Sequence, residues 1–167
     1  MIIICRLVAD HFILAARLDR EDAHLNELTL QQANRLIEAV LAAARQRDMP
    51  PLAVAVLDSG AYLKAFQRED GVSFLRARIA QAKAWGALAM ACDTDQLAER
   101  YAQDKLQRGF IDALNTMTGG GLIPLPGGVL LRDEENAIVG AVGAAGGPSE
   151  QDEACVREAI EAAGYRT

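Results

Sequence analysis

The chain has 167 residues, a net charge of −6 and a pI near 4.9, a length that fits one domain with its own core. The acidic balance and the lack of any basic stripe argue against nucleic acid or an anionic membrane as partner. Three scattered cysteines, Cys5, Cys92 and Cys155, argue against a disulfide framework and against a zinc site.

Met1 to Leu18 is mildly apolar, but Arg6, Asp10, His11 and Arg17 interrupt any membrane span. The stretch also lacks the basic start and long apolar run of a signal peptide, so the expected compartment is the cytoplasm. Residues 1–27 read as an N-terminal extension and residues 28–167 as the domain. Thr29 and Gln32 make a Thr-x-x-Gln capping box that opens a helix. Its apolar stripe runs Ala33, Leu36, Ile37, Val40, Leu41 and Ala44, and Pro50 and Pro51 end it. Leu52 to Leu57 is a continuous apolar run, the pattern of a buried strand. The turn Asp58-Ser59-Gly60 returns the chain as a second strand over Tyr62 to Gln67, an antiparallel hairpin. Phe74 to Ala91 predicts a helix, and Asp93 or Thr94 caps another through about Leu106, with a further helical turn at Phe110 to Leu114.

Asn115 to Gly121 is a turn-rich loop ending in three glycines. Gly127 to Leu131 and Asn136 to Ala144 predict a second hairpin, joined by Arg132 to Glu135. The apolar strand then meets Gly146-Gly147, and a final helix runs from Ser149 to Ala163, stopped by Gly164. Ser149 is the expected N-cap, with Asp152 answering it. The order helix, hairpin, helices, hairpin, helix predicts an α/β domain of the α+β kind, an antiparallel sheet with helices packed on it. The glycine-rich run from Gly140 to Asp152 brings backbone N–H groups to a surface where a ligand could sit.

Four stretches together resemble the GlcG/HbpS family, which includes the C-terminal domain of PduO-type proteins. They are Leu28-Thr29-Leu30; Val54 to Gly60 with Arg68 and Asp70; Gln81-Ala82-Lys83-Ala84; and Pro126 to Val129 followed by Ile138 to Gly143, Gly146-Gly147 and Glu150 to Asp152. The resemblance spans about Leu28 to Gly164. It implies a profilin-like fold with a five-stranded antiparallel sheet, homo-oligomers, and, for several members, haem binding. Many members carry a histidine after the first hairpin's turn, where this chain has Tyr62.

Tyr62 is thus the candidate metal ligand, or an aromatic strand residue at the rim. Candidate cofactor-binding residues are Tyr62, Arg68, Lys83, Gly127, Gly128, Gly146 and Gly147, lining a pocket between sheet and central helix that the Gly119 to Gly121 loop would cover. The expected function is a small-ligand-binding protein holding haem or a related anionic cofactor. The alternative is a small enzyme acting on a hydroxy acid, aldehyde or diol. In it Lys83 captures or polarises a carbonyl, and Glu150 or Asp152 shuttles protons. The structural counterparts stand beside these roles: Lys83 as an ion-paired helix residue, and Glu150 and Asp152 as acids favoured in a first helical turn.

Overall fold

The computed structural model describes residues 27–167; the extension expected over 1–27 lies outside them apart from Glu27, as do Cys5, His11 and His24. Helix α1 (Leu30–Gln46) begins at the expected capping box, in which the Gln32 backbone N–H donates to Thr29 Oγ1 and the Thr29 N–H donates to Gln32 Oε1. Strands β1 (Ala53–Asp58) and β2 (Leu63–Arg68) form the first hairpin. Helix α2 (Phe74–Met90) follows, then α3 (Thr94–Gln103) and α4 (Lys105–Met117). Strands β3 (Gly128–Arg132) and β4 (Ile138–Ala145) form the second hairpin, and α5 (Ser149–Ala162) completes the domain.

The strands pair in the order β2-β1-β4-β3, all antiparallel. Alternating side-chain size explains how helices cover both faces. Val54, Val56, Val129, Leu131 and Val142 point to one face and pack with Leu36, Ile37, Val40, Val156 and Ile160 of α1 and α5. Ala53, Ala55, Ala141 and Ala145 point to the other face, where α2 lies. Gly128 and Gly143 face one another across the β3–β4 ladder. A Cβ on Gly143 would overlap the Ala80 carbonyl oxygen, and one on Gly128 would stand 2.6 Å from the Lys83 carbonyl carbon. The glycine pair is therefore the floor on which the backbone of α2 rests.

Three expectations change. The sheet has four strands among the described residues, not five. Leu122 to Leu125 stays outside it, because Pro124 and Pro126 carry no N–H. In the same stretch the Leu122 N–H donates to Asn115 Oδ1 and the Leu125 N–H turns back to the Ile123 carbonyl. Instead of a fifth strand, side chains and the chain end close the outer edge of β3: the N–H groups of Gly128, Leu130 and Arg132 donate to Thr94 Oγ1, Asp93 Oδ1 and the Arg166 carbonyl. The helix read through Leu106 is interrupted at Asp104, whose φ of −157° is extended and whose side chain accepts from the Gln107 N–H, opening a full α4. Finally, Pro148, not Ser149, holds the N-cap position of α5, and no side chain caps that end.

Candidate functional site

Two neighbouring arrangements occupy the flanks of α2. The first is a buried ion pair. Lys83 and Asp152 are 1% and 0% exposed, with Nζ 3.4 Å from Oδ2. Nζ also donates to the Ala144 carbonyl at 3.0 Å. Asp152 turns back from the first turn of α5 to accept the N–H groups of Gly146 and Gly147 at 3.3 and 2.9 Å. Gly127 closes the group: a Cβ there would come within 2.8 Å of Nζ. Beside it, Glu153 accepts the Gly127 N–H and pairs with Arg157, which also reaches Asp93 and Asp95. No described buried side-chain polar atom lacks a partner.

Burial lowers the pKa of Lys83, and the attraction of Asp152 offsets this only in part. Burial likewise raises that of Glu153 against the hydrogen bond from Gly127 and the charge of Arg157. For Lys83 the consequence has a definite sign. Between its lowered value and the ordinary 10.5, the unfolded chain still holds the proton that the folded chain has released. The stability contribution of this group therefore rises with pH across that window. Lys83→Met is expected to remove that rise, seen as a flatter dependence of the denaturation midpoint on the alkaline side, approaching the ordinary 10.5 from below. Identical slopes in both proteins would sink the assignment.

The second arrangement is an open cleft of about 660 Å³ on the opposite flank of α2. Its walls are Leu57 at the end of β1, Ala61 and Leu63 of the first hairpin, and Leu75, Arg78, Ile79, Gln81, Ala82 and Trp85 of α2. Thr118, the three glycines Gly119 to Gly121, and Ile123 form the remaining side. Gly119 and Gly120 take φ of +73° and +89°, conformations natural to glycine. A Cβ on Gly121 would stand 3.0 Å from the Trp85 ring, so the loop backbone rests on the indole.

The structure brings Lys83, Asp152, Gly127, Gly128, Gly146 and Gly147 together in the buried group, and none of these lines the cleft. Tyr62 is 76% exposed at the hairpin, its ring over Gly60, between the wall residues Ala61 and Leu63. Arg68 and Glu150 are exposed and lie on neither. The triple-glycine loop does border a cavity, though not the one expected. Sequence reasoning passed over Arg78, Leu75 and Ile79. With Ala82 and Trp85 they form a stripe at helical spacing, distinct from the sheet-facing stripe of Ala80, Ala84 and Ala87. That second stripe was the available signal.

A small α+β domain with helices on both sheet faces and an apolar cleft beside its central helix is what the fold and the site define. The chain belongs to the haem-degrading protein HbpS-like family, whose family pattern matches residues 28–161. Corrinoid adenosyltransferase PduO of Citrobacter freundii is 25% identical over 164 residues, which are 98% of this chain and 47% of PduO. The chain thus spans about half the length of that relative. Among solved structures, a PduOC–haem complex superimposes with a TM-score of 0.74 at 25% identity, over 84% of this chain and 98% of that one. Klebsiella pneumoniae protein ORFY gives 0.72 at 25% identity, over 82% and 90%. A double mutant of Streptomyces reticuli HbpS gives 0.68 at 28% identity, over 81% and 86%. No described helix is long and apolar enough to cross a membrane.

Proposed function

We propose that the cleft is a binding site for haem or a related flat, anionic ligand. The observation that carries this is the wall itself: aliphatic side chains, one tryptophan and a glycine backbone, with Gln81, Thr118 and a single charged residue, border an open cleft of about 660 Å³, within the usual range of small-molecule sites. Similarity to a protein solved with haem supports the same reading. The residues fit the organic body of haem better than its iron. No residue lining the cleft is a histidine, cysteine, methionine or tyrosine. Tyr62, adjoining the wall, is the described phenol we assign to a ferric iron, whose bound form would supply the redox chemistry. The antiparallel sheet between α1 with α5 and α2 supports classing the fold as profilin-like. Self-association belongs to this reading as well, because Leu106, Phe110 and Met117 leave an exposed apolar stripe on one face of α4.

The buried Lys83 and Asp152 support a structural role in fixing α2 and hence the cleft wall; at 1% exposure Lys83 has no access to a carbonyl substrate. Titration with hemin tests the binding reading. A saturable Soret change is expected in the wild type, and Ala82→Phe, which fills the cleft from α2, is expected to weaken it at least about tenfold. Unaltered binding by Ala82→Phe moves the site elsewhere, and an unaltered spectrum in Tyr62→Phe removes that residue as ligand.

A further inference from the structure

We propose that Arg78 is the carboxylate anchor of the cleft and makes it selective for flat apolar ligands that carry a free acid. The inference rests on the binding reading above and deepens it. The chain carries 23 acidic residues against 17 basic ones. Yet α2, from Phe74 to Met90, contains no acidic side chain and three cations, Arg76, Arg78 and Lys83. Lys83 is committed to Asp152 in the interior. Arg78 is the sole charged residue lining the cleft.

Among the described residues Arg78 makes no ion pair and no side-chain hydrogen bond, whereas Arg45, Arg47 and Arg157 are each paired with carboxylates. Its neighbours on the wall, Leu75, Ile79, Ala82 and Trp85, offer no competing acceptor in their side chains. Gln81, three residues further along the helix, donates its side-chain N–H to the Ala77 carbonyl and makes no bond to Arg78. A guanidinium beside an apolar wall and free of an internal partner gains most from a carboxylate that arrives with an apolar body. The fork of N–H donors takes the acid in a bidentate pair, and the body covers Trp85 and the aliphatic residues. An uncharged analogue of the same shape keeps only the second contribution.

Binding titrations of hemin and of hemin dimethyl ester, followed at the Soret band, separate the two contributions. Arg78 is exposed to solvent, which screens its pairing with an acid; Arg78→Gln is therefore expected to weaken hemin about threefold to fivefold and to leave the diester unchanged. Arg78→Lys, which keeps the charge but not the fork, is expected to fall between. Equal hemin affinity in Arg78→Gln and wild type overturns the anchor, as does an equal loss for acid and diester. If hemin binding is abolished by Ala82→Phe but untouched by Arg78→Gln, the cleft survives and the anchor alone fails. If the wild-type protein takes up neither compound, both fall.

Discussion

Asp152→Ala is expected to lower folding stability by about 3–5 kcal/mol at neutral pH, among the largest single-residue effects in the domain. The carboxylate serves three donors from one buried position: the Lys83 ammonium and the N–H groups of Gly146 and Gly147. In the variant the two glycine N–H groups lose this acceptor and the ammonium keeps only the Ala144 carbonyl, at a site 1% and 0% exposed. A buried donor left without a partner costs about 1–3 kcal/mol, more when it is charged. Asp152→Asn keeps an acceptor oxygen for the glycines and should lose less. Combining Asp152→Asn with Lys83→Met should recover part of the remainder, because the uncompensated cation has gone. Denaturant midpoints of the four proteins give the ranking; an Asp152→Ala variant within about 1 kcal/mol of wild type would show that the pair does not hold α5 to α2.

Gly143→Ala comes second, with an expected loss of about 3 kcal/mol or more. The added methyl would overlap the Ala80 carbonyl oxygen and stand 2.7 Å from the Ala84 nitrogen. Both obstacles are helix backbone, so no side-chain rotation relieves them. Either α2 lifts off the sheet or the strand bends, and the first response would also widen the cleft on the far flank of the helix. Gly109→Ala provides the contrast. That glycine is exposed in the middle of α4, and a Cβ there meets nothing within 4 Å. Helix propensity alone should then act, stabilising by about 0.5–1 kcal/mol. Thermal unfolding of both variants decides the matter, and similar melting temperatures for the two would remove the close-approach argument.

Local signals carried much of this architecture. The reciprocal bonds of Thr29 and Gln32 are a short-range motif, and the structure reproduces them. The apolar run from Leu52 to Leu57 reads as a buried strand because both faces of β1 are covered. What escaped depends on distant partners. Asp152 looks like a helix-capping acid until Lys83, 69 residues away, claims it. Of the helix over Lys105 to Met117, the sequence showed only a helical turn at Phe110 to Leu114, because the contacts that hold Ile111 come from Leu97 and Leu122 elsewhere in the chain. Lys83 stood out among alanines, whereas Arg78 did not, although only the latter borders open space. Composition describes both as lysine- or arginine-bearing turns of one helix. Which turn meets the sheet and which meets the cleft is decided by where the small residues of β1, β3 and β4 let α2 settle.

The closed flank of β3 gives the sheet a direction. Thr94, Asp93 and the Arg166 carbonyl already take the amides that an incoming strand would need, while among the described residues no comparable acceptors cover β2. Any extended segment that joins this domain, whether from another copy or from a misfolded neighbour, would therefore be steered to one rim, where Leu63 of β2 lines the cleft. Ligand occupancy and strand recruitment would then compete for the same ground.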